Sequence, residues 1–348
     1  MDVKKESLVS YPETLQNVID SISQTNQSDT SHYTVADLES QPICIPTVQK
    51  CTTKRDKCIK LCDIFNSLGD KKRADRVANC GTFLDFKAFK HSDGSLSDVK
   101  LYRANFCKDN LCPMCAWRRS LKVFGQTSAI MDIICNDYNF IFLTLTVPNV
   151  SGQHLSFTID RLMWAWNRLH RKKIVKDNTF GYFRVLEITY NSKTNMFHPH
   201  FHVIFAVSRD YGQQTSSHYI KHSEWLKMWQ ECYEDDDIKF VNVKQVKPDS
   251  DGSLSKAVAE ISKYAVKSSD FTPYVVSVFS QALFNRRLFQ YGGIFKKTAS
   301  DLKLDDAQDG DLTHIEPINH PTFANVLLRY KWQIGIGYLI TEISPLTD

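Results

Sequence analysis

The sequence predicts an α+β protein, a central antiparallel sheet with flanking helices, preceded by a small basic cysteine-rich module. Three observations predict it. Between residues 136 and 297, short β-branched and aromatic runs alternate with amphipathic stretches in the order β-α-β-β-α-β-α, which sets mostly antiparallel strands beside helices. Upstream lies a cysteine cluster, Cys107-x4-Cys112-Pro-Met-Cys115, with Cys80 before it. The 348 residues, 42% hydrophobic and 24% charged, have the composition of a globular chain of about two units.

Composition also excludes classes. No apolar run approaches the roughly 18 residues of a membrane span, and the opening MDVKKESLVSYPET has no apolar core of a secretory signal. Ten cysteines without such a signal point to the reducing cytoplasm, where clustered cysteines bind metal or do chemistry more often than they form disulfides. The formal net charge of +4 hides an asymmetry. Residues 1–49 carry 2 basic and 7 acidic side chains and residues 298–348 carry 3 and 8, which leaves 38 against 24 in residues 50–297. A body of that sign attracts polyanions, although a solvated basic surface would look the same.

Taken in order, residues 1–49 form a flexible polar and acidic arm, rich in Ser, Thr, Gln, Asn and Asp. Residues 50–135 form the basic module: one or two basic helices over 50–76, then strands around Phe83–Phe89 and Val99–Phe106 bracketing an HSDGS turn. Residues 136–297 form the main domain. Phe140–Val147 reads as a buried strand, and Ile159–Ile174 as a helix with Leu162, Trp166 and Leu169 on one face. Phe183–Tyr190 and His200–Val207 pair as a hairpin across NSKTNMFHP. Glu224–Tyr233 is a helix, Ile238–Val246 a strand and Leu254–Lys267 a helix. Residues 298–348 contain an acidic linker, DLKLDDAQDGD, before a last aromatic segment, Tyr330–Ile340.

Three constellations can carry chemistry. The period of two puts His198, His200 and His202 on one strand face, opposite Phe201, Val203 and Phe205, so imidazoles can converge on one ion. Glu187, in the partner strand, is the available carboxylate, and two imidazoles plus a carboxylate suit Mn²⁺, Mg²⁺ or Zn²⁺ with positions left open for substrate. Glu260, Tyr264 and Lys267 recur at helical spacing beside the apolar stripe Leu254, Val258, Ile261, Ala265. An interfacial tyrosine with solvated neighbours would give the same pattern. Cys80, Cys107, Cys112 and Cys115 could close a tetrahedral zinc site, with Cys58 and Cys62 as competing ligands and a CPMC redox pair as the alternative. Arg118, Arg119 and Lys122, just beyond, are natural phosphate contacts or a solvated helix face.

In this order, FLTLTVPN at 142–149, HPHFHVIF at 198–205 and EISKYAVK at 260–267 resemble the motifs of rolling-circle replication initiators of Gram-positive plasmids, in the HUH (His-hydrophobe-His) endonuclease superfamily. NFCKDNLCPMCAWRRSLK at 105–122 is similar to their cysteine-rich segment, and RLFQYGGIFK at 287–296 to a later one. The resemblance spans about residues 78–297. It implies His200 and His202 as metal ligands with Glu187 the third, His198 auxiliary, Tyr264 as the nucleophile, Lys267 stabilising negative charge and Glu260 activating water at termination. It also implies Mn²⁺ or Mg²⁺ at the catalytic site, no nucleotide cofactor, plasmid origin DNA as partner with a host helicase and polymerase, and a cytoplasmic setting; a homodimer stays open. A mobilisation relaxase or transposase of the same chemistry, or a non-enzymatic zinc-dependent DNA-binding regulator, remain the alternatives.

Overall fold

A computed structural model describes residues 45–213, 219–250, 252–263, 266, 268–317 and 323–346. Nearly all of the predicted arm, 1–49, lies outside them, as do Tyr264 and Lys267. The class is α+β: two antiparallel sheets with helices packed around them.

Residues 46–67 and 71–78 form the basic helices α1 (Pro46–Ser67) and α2 (Lys71–Ala78), the second capped by the Asp70 carboxylate accepting from the Arg73 amide. Strands β1 (Phe83–Lys90) and β2 (Leu96–Ala104) follow as the predicted hairpin. Helix α3 (Pro113–Ile134) starts inside the cysteine cluster. It is buried on almost every side, which marks a helix in the middle of a core rather than on a surface.

The site-bearing sheet is built from β3 (Asn139–Thr146), β4 (Gly181–Asn191), β5 (Met196–Val207), β6 (Val241–Gln245) and β7 (Phe289–Gly293), in the order β6-β3-β5-β4-β7. On one face, Leu143, Phe201, Val203 and Phe205 are buried under α4 (Gly152–Leu169) and α6 (His222–Tyr233), with the Trp166 ring against Phe201 and Phe205 and the Trp225 ring on Phe205. A short helix, α5 (Lys173–Asn178), leads from α4 into β4. The other face is divided. At one end Phe140, Phe183, Tyr291 and Phe295 pack together, Phe295 coming from α9 (Ile294–Asp301); at the other end the face carries the histidines. Helix α7 (Ser255–Ile261) lies against β5 and buries Val258 and Ile261, and α8 (Pro273–Ala282) packs on α4. The predicted helix runs on to Lys267, but regular helix ends at Ile261. Gly293 allows the step from β7 into α9: its φ is +57°, and a Cβ there would stand 2.3 Å from the Phe180 carbonyl oxygen.

The predicted acidic linker is a correction. Residues 302–317 lie along α3, and beyond them β8 (Val326–Gln333) and β9 (Gly337–Pro345) join β1 and β2 in a second sheet of order β2-β1-β8-β9. Buried Asp85 on β1 ties this sheet together, accepting hydrogen bonds from Arg103 of β2 and Arg329 of β8.

Under α4, Arg184 is buried and, among the described residues, forms no ion pair with a carboxylate and has no partner for its Nε; one guanidinium nitrogen reaches the Met163 sulfur, and the group lies 4.4 Å from the Phe201 ring centre. Burial pulls its pKa down to about 10. A buried unpaired cation costs stability, so Arg184→Met is expected to raise it by about 1–3 kcal/mol. Urea unfolding checks this, and an unchanged or lower midpoint would count against it.

Candidate functional site

The hairpin register sets the site. Strand pairing continues to Asn191 and Met196, so the connection is residues 192–195 alone, shorter than the predicted loop, and Glu187 falls opposite His200. Directly paired residues share a face. Glu187, His200 and His202 therefore converge: the Glu187 Oε2 is 3.0 Å from His202 Nε2 and 3.7 Å from His200 Nε2, and the two Nε2 atoms are 3.2 Å apart. All three are largely buried. Burial alone would raise the Glu187 carboxyl, but the hydrogen bonds and charge of the two histidines reverse this and hold it well below the usual carboxylate range.

The ring orientations are fixed from behind. The Nδ1 of His200 lies 3.1 Å from the His198 carbonyl oxygen, which can only accept, so with an ion bound Nδ1 would keep the proton and Nε2 would be the ligating atom. His202 Nδ1 is 3.2 Å from the Thr144 hydroxyl on β3, which aims its Nε2 the same way. His198 is not in the converging group; its ring stacks on His200 at 4.9 Å, and burial followed by the neighbouring His200 lowers its pKa. Its neighbour Pro199 lies one residue past the end of the β3 pairing, where β3 no longer runs alongside. An N₂O donor set this compact and dry fits a divalent ion such as Mn²⁺, Mg²⁺ or Zn²⁺.

Thr144 is a site residue that composition alone does not mark. The signal was present, because the alternation in FLTLT places Phe142, Thr144 and Thr146 on one face. The Phe142 ring lies 5.4 Å from that of His202, while Trp166 is core and Trp164 is on the solvent side beside Arg168. Replacing Thr144 with valine keeps the shape and removes the hydrogen bond behind His202. Mn²⁺ affinity, measured by calorimetry, is expected to fall ~10-fold or more; a change within twofold would sink that role.

Glu260 is on α7, half exposed, and paired with Lys263. Tyr264 and Lys267 lie outside the described residues. Around them, Ile261, Ser262 and Val266 are buried, and the Ser262 carbonyl accepts a hydrogen bond from the Ser120 hydroxyl of α3.

The second metal-ligating group is the cysteine cluster. Cys80, Cys107, Cys112 and Cys115 bring their sulfurs within 4.8 Å of one another, with Cys80–Cys115 and Cys80–Cys112 at 3.5 Å and Cys107–Cys115 at 3.6 Å. A zinc ion bound at about 2.3 Å to four thiolates sets its sulfurs about 3.8 Å apart. The cluster has the donor number, spacing and dryness of such a site. Cys58 of α1 is a fifth thiol, its sulfur 3.5 Å from that of Cys112, and hydrogen bonds from Cys112 and Cys80 lower its pKa to about 4.

The basic residues that follow do not face solvent. Arg118, Arg119 and Lys122 are only 4%, 3% and 1% exposed. Arg118 donates to the carbonyls of Leu312 and Thr313, Arg119 to those of Gln308 and Lys108, and Lys122 to the Asp305 carboxylate and the Asp311 carbonyl. The expected phosphate contacts are thus corrected: these side chains hold the 305–313 segment against α3.

A family model described as replication protein matches residues 98–337, more than half of the chain. The chain belongs to that family. Proteins named "Protein rep" are similar to it: one from Streptococcus pneumoniae serotype 2 is 38% identical over 268 residues, covering 75% of this chain and 82% of the relative. One from a Bacillus species is 37% identical over 292 residues, covering 77% and 92%, and one from Bacillus amyloliquefaciens is 39% identical over 269 residues, covering 70% and 77%. No solved structure matches it. Within this replication protein the matched span runs from β2 to the first residue of β9, so it takes in the whole site-bearing sheet, most of β2 and all of β8, the His and Glu site, three of the four clustered cysteines and the segment that covers Arg118. Among the described residues, no helix is long and apolar enough to cross a membrane.

Proposed function

We propose that this replication protein is a plasmid replication initiator that nicks one strand of its origin and stays joined to the 5′ end. The observation that carries the proposal is the convergence of Glu187, His200 and His202 on one sheet face, with the helix that leads to Tyr264 packed on the same strand. In the proposed step the Tyr264 phenol gives up its proton and its oxygen bonds to phosphorus. The bond from phosphorus to the 3′ oxygen breaks, and that oxygen takes up a proton to become the 3′-OH that primes a polymerase. A divalent ion at the three-residue site, Mn²⁺ or Mg²⁺, would polarise the phosphodiester. Glu187 and the histidines, oriented through their Nδ1 atoms by the His198 carbonyl and the Thr144 hydroxyl, would hold that ion. Glu260 is the carboxylate proposed to activate water when the cycle ends, and Lys267 the cation that offsets negative charge. The cysteine cluster is proposed to hold a structural zinc ion that fixes the start of α3. Origin DNA is the partner that follows, with a host helicase and polymerase extending the primer.

The test is a covalent one. Purified protein is given Mn²⁺ or Mg²⁺ and single-stranded oligonucleotides tiled across the DNA flanking its gene, and a protein-linked 5′ fragment is sought on a denaturing gel and mapped by mass spectrometry. An adduct on Tyr264 that requires the ion is the expected result. Binding with no cleavage under either ion would favour a DNA-binding regulator instead.

A further inference from the structure

The segment RLFQYGGIFK at 287–296 has no part in the proposed chemistry, yet it borders the metal-ligating site. It supplies β7, a five-residue edge strand whose pairing with β4 stops at Val185, opposite Phe289. One bond reaches further: the Leu186 amide donates to the Leu288 carbonyl at 2.8 Å. The next residue is Glu187, opposite His200. The outer side of β4 is therefore held up to the residue before the site's carboxylate, and the last hold is Leu288.

Leu288 precedes β7, and the chain leading to it is irregular, with Asn285 at a φ of +53°. What fixes it is a side chain from 20 residues downstream. The Gln308 Oε1 accepts from the Leu288 amide at 2.6 Å, and its Nε2 donates to the Arg286 carbonyl at 3.1 Å. One side-chain amide thus meets a backbone donor and a backbone acceptor two residues apart, as a neighbouring strand would otherwise do. Gln308 is itself buried and held: its backbone amide donates to the Asp306 carboxylate, and its carbonyl accepts from Arg119 of α3 at 3.0 Å. Arg287 pairs with Asp306 across the same junction. With Leu288 buried, losing the glutamine amide would leave its backbone N–H without a partner, which is costly away from water. Packing alone would not select an amide here, since methionine has the same length and no need of partners. A line of contacts runs from α3 through Arg119 and Gln308 to Leu288, Leu186 and Glu187.

We propose that Gln308 is a positioning residue of the metal-ligating site: it fixes the start of β7 and, through the Leu288–Leu186 bond, keeps the Glu187 carboxylate in register with His200 and His202. The proposal rests on the reading of those three residues as the site of nicking. It gives residues 302–317 a task beyond covering α3.

Gln308→Met keeps the length of the side chain and removes both bonds. Full-length wild type and variant are compared without DNA, by calorimetric titration with Mn²⁺ and by hydrogen exchange read on peptides spanning 183–189. The variant is expected to bind Mn²⁺ about fivefold more weakly, the size of effect seen when a contact leading to a site is cut, and to exchange faster at Leu186. Leu328→Val, buried in the second sheet, controls for lost stability and should leave both readouts unchanged. Arg119→Met, one contact further back, should act in the same direction, and the double variant should bind no more weakly than the weaker single one, because both cut one path. In the nicking assay Gln308→Met should need more Mn²⁺ yet reach a rate near that of the wild type at saturation, a split that loss of folded protein would not give. Unchanged Mn²⁺ affinity overturns the proposal, with or without faster exchange, and so does an equal loss in Leu328→Val. A wild type that binds Mn²⁺ and shows these differences but forms no adduct would instead defeat the nicking function and leave Gln308 the positioning residue of a metal site with another use.

Discussion

Replacing Tyr264 with phenylalanine is expected to abolish the protein-DNA adduct and to lower the nicking rate ~10⁴-fold or more, while oligonucleotide affinity stays within about twofold. The substitution deletes one oxygen and keeps the ring, so it removes a nucleophile and little else. A free phenol has a pKa near 10, so about one in a thousand is ionised at neutral pH, a cost of roughly 4 kcal/mol that the site has to offset. An ion at the metal-ligating group on β5, the strand against which α7 packs, is the proposed source of that offset. Phenylalanine cannot use any of this. Denaturing gels with the mapped oligonucleotide give the rate, and anisotropy gives the affinity. If the variant still forms an adduct at a rate near that of the wild type, another residue attacks and the assignment of Tyr264 fails. If affinity collapses together with the rate, the tyrosine is holding DNA rather than reacting with it.

What could be read in advance follows from the range of the interactions involved. The histidine face, the strand preceding it and the hairpin were legible because a period of two is a local property, and Glu187 was legible because the hairpin partner is the next strand in the chain. The register that puts Glu187 opposite His200 depended on how short the connection is, which the polar run NSKTN obscured. Thr144 was visible as a pattern but not as the hydrogen-bond partner of His202, since that contact spans 58 residues. The errors lie farther out. Arg118, Arg119 and Lys122 look like a DNA-facing row because charge is normally solvated; their partners are almost 200 residues downstream, and nothing local announces that an acidic stretch will return to cover them. The same distance hid the pairing of β8 with β1, which turns an apparent tail into half of a sheet.

That long-range closure makes the cysteine cluster the most consequential structural site. Cys115→Ser is expected to reduce bound zinc well below one ion per chain and to destabilise the protein by about 5 kcal/mol or more, given that structural zinc sites contribute about 10–16 kcal/mol of binding energy to folding. For a chain of this size the melting temperature should drop by at least about 7 °C. Cys115 is the informative position because its sulfur touches those of Cys80 and Cys107 and accepts a hydrogen bond from the Lys108 amide. The damage should spread in a defined direction. The Tyr338 hydroxyl of β9 donates to the carbonyl of Gly81, next to Cys80, and α3 leaves the cluster from Cys112. Hydrogen exchange should therefore rise in residues 80–115 and in β8 and β9 together, while β3, β4 and β5, closed by their own core, keep their protection. Cys58→Ser provides the contrast: its sulfur touches the cluster through Cys112 but is not one of the four that converge, so one zinc per chain and a melting temperature near wild type are expected. Should the two variants behave alike, with metal content and melting unchanged in both, the four thiols pack a core without binding an ion. Should Cys58→Ser be the variant that loses zinc, the ligand set includes α1, and the metal ties that helix directly to the start of α3.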